Sequence, residues 1–294
     1  GYADADFVTV DGRIFILPND SADLEKITIR FKVAPHWQVH TAFRSIGHHY
    51  YRVTDLYGSK LTQLIQGAIL LGPFETREVK IGNTRLTVLM YTHWPVAHRN
   101  QLFDKSVRVY RFFYDTFGFD PGRYFIGWTP KSKSGDKIYT TSWGYGSTME
   151  MPTDTQRNYE LLAHRIAHAI NRYHPVGLVN NQREDDWFEE GWASYIEAIA
   201  LQRVGITPDQ AKFNQLYTYY INYRQRGYEL DLPLADEAKA NANTAEFLHY
   251  TKGPLIVKHL EVYFTQHSNR SLEYCIRDLY KKFGRYRESF ALRV

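Results

Sequence analysis

Polar and apolar residues alternate most cleanly at Ile27, Ile29, Phe31 and Val33, where every second side chain is apolar. That period of two predicts a half-buried strand. Arg13 to Leu17 after Asp11-Gly12, Trp37 to Phe43, and Tyr50 to Val53 read as further short strands. Thr76 to Ile81 and Thr84 to Thr92 flank Gly82-Asn83, two β-rich runs around a turn dipeptide, and predict a hairpin. Pro95 ends this β-rich region. From Gln101 to Phe117 the spacing turns helical through Leu102, Val107, Tyr110, Phe113 and Tyr114, and Gly118 with Pro121 beyond supplies a stop. Strands are predicted at Tyr124 to Thr129 and Lys137 to Thr141. The glycine-containing Ser142 to Thr148 reads as irregular, leading into Met149-Glu150-Met151.

From Asp154 onward the pattern is mainly helical. Helices are predicted near 154–172, 186–203, 208–226, 243–266 and 271–284, broken at Pro175, Gly205, Pro208, Pro233 and Ser268-Asn269. The fold class is therefore α+β. Residues 1–97 are expected to form an N-terminal β-rich domain, and 98–294 a second domain, mixed at first and then mainly helical.

Composition narrows the class only a little. The 294 residues suffice for one large or two ordinary domains. Charges of both signs are interspersed to a net +4 with no basic block, so nucleic acid is not implied. The longest apolar run, Gly67 to Gly72, is far too short to span a bilayer. One cysteine, Cys275, excludes an internal disulfide and a cysteine-based metal site. The 23 tyrosines and 17 phenylalanines fit a well-packed core or an amphipathic groove. The absent initiator Met and the single cysteine point to an exported protein, with a cytoplasmic one left open.

Chemistry concentrates between Glu160 and Glu197. Leu162, Ile166 and Ile170 give one helix a buried face, and His164 and His168 lie on it at i, i+4, one turn above each other. Two imidazoles so placed can reach one metal ion, and a carboxylate from a second helix would complete a three-ligand zinc site with an open position. Glu190, in WFEEGWASY, is the candidate. A lone histidine pair on a helix is more often structural, so the context has to carry the reading.

That context resembles the gluzincin metallopeptidases, specifically the glycyl-aminopeptidase type and its relatives around aminopeptidase N. The motifs come in order over roughly residues 20 to 270. GSTMEM at 146–151 resembles the Met-Glu strand that lines the substrate cleft. HRIAH at 164–168 resembles the zinc helix, and WFEEGWASY at 187–195 the helix of the third ligand. YTKG at 250–253 resembles the motif whose tyrosine stabilises the transition state. The resemblance implies a thermolysin-like catalytic domain and one zinc ion held by His164, His168 and Glu190. It also implies Glu150 facing a substrate amino terminus, Tyr250 donating to the tetrahedral oxyanion, and a peptide or protein as substrate or ligand. Asn171, one turn beyond His168, is a candidate supporting residue. The 21 residues between His168 and Glu190 exceed the aminopeptidase N spacing and fit the glycyl-aminopeptidase branch.

One position departs from the pattern. A peptidase of this kind reads His-Glu-x-x-His, and the glutamate is the general base that activates the attacking water. Here Arg165 stands in its place. Arginine stays protonated and cannot act as the base, and loss of such assistance is commonly worth about 10² to 10⁴-fold in rate. A guanidinium about 5 Å from a divalent ion also costs on the order of 6–7 kcal/mol at an effective dielectric of 20. Arg165 can swing away to pair with Glu189, Asp185 or Asp186, or it can take the metal's electrostatic place against Glu190. The expectation is a metallopeptidase scaffold that is inactive or impaired as written; the alternative is a peptide- or protein-binding pseudopeptidase without metal.

Overall fold

The structure, a computed structural model, describes residues 2–3, 7–11, 27–41, 43–53, 68–130, 140–143, 146–150, 156–173, 186–226, 246–268 and 270–283. The predicted strand at 13–17 lies outside the described residues. Two compact units are formed, one from 1–111 and 120–169, the other from 112–119 and 170–294.

The first unit is built on sheets. Strands β1 (Tyr2–Ala3), β2 (Val8–Asp11), β4 (Gln38–Thr41) and β7 (Ala68–Gly72) form an antiparallel sheet in the order β1-β2-β7-β4. A second antiparallel sheet orders β3 (Thr28–Arg30), β6 (Tyr50–Arg52) and β5 (Arg44–Gly47). The run Gly67 to Gly72, noted above only for its length, contains the central strand β7. Ala68 and Leu70 join a core with Phe7, Phe74, Leu89, Tyr91 and Phe125, while Ile69 joins another with Ile27, Ile29, Phe43 and Val53. A strand buried on both sides shows no alternation, which is why the polar pattern did not mark it.

The third sheet is mixed. Its order is β11 (Thr140–Trp143), β12 (Gly146–Glu150), β10 (Arg123–Thr129), β9 (Thr84–Tyr91) and β8 (Phe74–Ile81). The predicted hairpin is β8–β9, with Gly82 at φ 60° in its turn. Asp120 clamps that turn, accepting from the Asn83 N–H at 3.1 Å and the Thr84 hydroxyl at 2.7 Å. Strand β10 runs parallel to β9. Parallel neighbours need a crossover, supplied by α1 (Val96–Phe117). Trp128 of β10 donates from Nε1 to the Ser106 hydroxyl of α1 at 2.9 Å.

The described residues of Ser142 to Thr148, expected to be irregular, lie in strands: Ser142 and Trp143 end β11, and β12 from Gly146 pairs in parallel with β10 and antiparallel with β11. Gly146 belongs there because a Cβ at that position would collide with the ring of Phe125.

The second unit is helical. It takes the end of α2 (Gln156–Tyr173), then α3 (Asp186–Arg203), α4 (Ala211–Gln225), α5 (Gly253–His267) and α6 (Leu272–Phe283). Four of them match the predicted helices to within a few residues; α5 begins at Gly253 rather than near 243, after a π-helical turn at Leu248–Lys252. Every residue of α3 from Gly191 to Leu201 is buried, so α3 is the core helix of this unit and lacks an amphipathic stripe. Leu272, Ile276 and Tyr280 give α6 one buried face at i, i+4, i+8. Among the described residues, no helix is long and apolar enough to cross a membrane.

Candidate metal centre

Helix α2 sets the first part of the site. Tyr159, Leu162, Ala163, Ile166 and Ile170 are buried along it, and the same periodicity carries His164 and His168 inward, to 7 % and 4 % exposure. Their rings meet edge to face, with centroids 4.6 Å apart and Nε2 atoms 3.0 Å apart. A neutral imidazole has one donor and one acceptor nitrogen. Two Nε2 atoms this close therefore need a proton or a cation between them. Arg165, next to His164 on the helix, is half-buried.

Helix α3 presents Glu190, also half-buried. The glycine after it has a packing reason. A Cβ on Gly191 would stand 2.9 Å from the backbone of Gly253. The glycines of the WFEEGWASY and YTKG motifs thus let α3 and α5 approach backbone to backbone. A glycine inside a helical pattern was the signal in the sequence, but its partner could not be read there.

Just before α5, Leu248–Lys252 form a π-helical turn, in which the Gly253 N–H reaches back to the Leu248 carbonyl. Such turns commonly mark functional positions. Leu248 and Thr251 are buried while Tyr250 between them is 42 % exposed, so the widened turn presents the tyrosine outward. Glu150 ends β12, opposite Thr129 of β10; its side chain lies outside the described residues, as do Asp185 and the side chain of Asp186. Glu189 is half-buried on α3.

Asn171 is tied into the helical unit. Its Oδ1 accepts from the Tyr280 hydroxyl at 2.5 Å, and that hydroxyl accepts from Trp192 Nε1 at 3.2 Å. Burial is the main cause that pushes the Tyr280 phenol well above its usual range, with Glu189 adding to it. Tyr280 thus stays a neutral donor, and this relay fixes the last turn of α2 and the motif residue Trp192.

One donor atom from each of His164, His168 and Glu190 lies within 4.8 Å of the other two, a group that could hold a metal ion. Donors about 2.0–2.2 Å from one tetrahedral ion stand roughly 3.3–3.5 Å apart. The histidine pair, with Nε2 atoms 3.0 Å apart, is close to that spacing. Two imidazoles and one carboxylate form a donor set suited to zinc.

No protein-family model and no curated protein matches the chain. Solved structures do. An aminopeptidase N family protein from Idiomarina loihiensis superposes with a TM-score of 0.74 at 16% identity, over 99% of this chain and 55% of that one. An M1 zinc metallopeptidase from Deinococcus radiodurans superposes with a TM-score of 0.57 at 15% identity, over 91% of this chain and 57% of that one. A mutant of the latter bound to a Tyr-Ser-Ala substrate gives the same TM-score at 14% identity, over 91% of this chain and 58% of that one. The chain spans little more than half the length of these proteins. The fold is of the gluzincin, aminopeptidase-like type.

Proposed function

We propose that this chain is an aminopeptidase-like scaffold that binds peptides beside a single zinc ion held by His164, His168 and Glu190, with hydrolysis impaired by Arg165. The observation that carries the reading is the convergence of those three donors within 4.8 Å on a fold shared with zinc metallopeptidases. When bound, the ion would supply Lewis-acid polarisation of the scissile carbonyl. The Tyr250 hydroxyl is the donor for the developing oxyanion, and Glu150 the carboxylate for a free amino terminus. Arg165 can hold neither role of the usual glutamate: it cannot accept the proton of the attacking water, and its charge opposes the metal.

The alternative is a pseudopeptidase that binds peptide without metal, with Arg165 balancing Glu190. The identity of residue 165 favours it; the grouping of two imidazoles and a carboxylate that could hold an ion favours the metal centre. Elemental analysis of the purified, unchelated protein separates the two. About one zinc per chain is expected. Absence of zinc after incubation with excess metal would overturn the metal centre and leave the binding scaffold.

A further inference from the structure

The first unit carries a charged face that the proposed function does not use. The register of the mixed sheet sets Lys80 of β8 opposite Arg85 of β9, and Arg85 opposite Arg123 of β10. Residues directly opposite share a face, so three cationic side chains stand in one row across three strands. At about 4.8 Å per strand the row spans roughly 10 Å. Two residues further along, Glu78 faces Thr87, and Phe125 opposite Thr87 belongs to the core. The row therefore lies at the rim of the core, with Lys80 and Arg85 exposed and Arg123 half-buried. Like charges set directly opposite one another oppose the pairing of their strands. Glu78 relieves this only weakly: its carboxylate stands 3.9 Å from the Arg85 Nε with both side chains largely in water, and it also accepts from the Thr87 hydroxyl at 3.1 Å. Arg123 is held in the row, its Nη1 donating to the Phe43 carbonyl at 3.3 Å.

A cavity of about 780 Å³ is lined by these three cations with Asn83 and Thr87, within the size range of ligand pockets. From this geometry we infer that the cavity binds a compact polyphosphate group, two or three linked phosphoryl units lying along the row. A terminal phosphoryl group carries about −1.5 to −2 charge and three acceptor oxygens, and guanidinium forks match phosphate oxygens in pairs. The charge density is what separates this ligand from an acidic peptide. An extended peptide with acids on one face spaces them about 6.7 Å apart, so a row of roughly 10 Å meets two of them at most. Between its acids such a peptide also needs apolar contact, and among the described residues Val79 is the apolar side chain lining the cavity. The three cations come from positions 80, 85 and 123, so no basic block in the sequence announced them; strand register assembles the row.

The test is titration calorimetry of the full chain with tripolyphosphate, orthophosphate and Glu-Glu-Glu at about 50 mM ionic strength, on the protein as purified and after chelator treatment. Tripolyphosphate should bind at least about 10-fold tighter than either other anion. Lys80→Gln and Arg85→Gln should each weaken it by about 10-fold, the loss of a charge-assisted hydrogen bond. Arg111→Gln, at an exposed arginine of α1 outside the cavity, should leave it unchanged within about 2-fold. Lys80 and Arg85 are exposed, so folding should tolerate both changes, and circular dichroism checks it. No measurable binding, or equal affinity for the three anions, overturns the site. Tighter binding of Glu-Glu-Glu does so as well, and would make the face an acidic-peptide surface. A loss in Arg111→Gln equal to that in Arg85→Gln would reduce the effect to attraction by net charge. Binding abolished by chelator yet unmoved by Lys80→Gln and Arg85→Gln would put the anion on a metal ion. Either result also overturns the site.

Discussion

Replacing Arg165 tests the chemistry most directly, because two substitutions separate its charge from its missing basicity. Arg165 sits about 100° around α2 from His164, and it is half-buried, so its guanidinium is in neither bulk water nor a dry interior. Against a divalent ion, a contact near 5 Å at an effective dielectric of 20 would cost about 7 kcal/mol, and a guanidinium near 9 Å in bulk water about 1 kcal/mol. An intermediate placement near 8 Å at a dielectric of 40 gives about 2 kcal/mol, or roughly 30-fold in zinc affinity. Arg165→Gln should therefore tighten zinc about 30-fold, read by competition with a fluorescent chelator, and should not restore hydrolysis. Arg165→Glu reverses the charge and should tighten zinc further, towards roughly 10³-fold. It also supplies the base, so hydrolysis of aminoacyl anilides and short peptides should exceed that of the Gln variant by about 10² to 10⁴-fold. Zinc affinity unchanged within about 2-fold in the Gln variant would refute the electrostatic argument. A zinc-loaded Glu variant no faster than the Gln variant would refute the assignment of position 165 as the vacant base.

Two further outcomes concern the scaffold. Burial lowers the His40 imidazole to about 4. The unfolded chain therefore takes up a proton between pH 6.5 and about 4 that the folded chain refuses, and stability should fall by about 3 kcal/mol as the pH drops through that window and be unaffected above it. Urea denaturation at stepped pH should show the component, and His40→Gln should remove it; identical profiles would contradict it. Gly191→Ala should destabilise by about 2–3 kcal/mol despite alanine's better helix propensity, since its Cβ meets the Gly253 backbone at 2.9 Å; a melting temperature equal to or above that of the parent would refute the close approach of α3 and α5.

The sequence by itself determined whatever a single element's periodicity controls. Apolar residues at i, i+4, i+8 define α2, and the helix then brings His164 and His168 together without help from the rest of the chain; their 3.0 Å approach follows from the four-residue spacing. The hairpin β8–β9 was legible for the same reason, since turn and strands are contiguous. Glu190 could be nominated from its motif, but its approach to the histidines depends on distant parts of the chain. Tertiary structure decided the remainder. Strand β7 hid its identity because both of its faces are buried, and Gly146–Glu150 became a strand because Gly146 can lie against Phe125. Gly191 and Gly253, more than sixty residues apart, set the separation of α3 and α5 by a contact neither motif specifies alone. The π-helical turn that exposes Tyr250, and the stacking of Tyr223 on Phe247, depend on which helices meet, and local spacing cannot encode a meeting between distant segments.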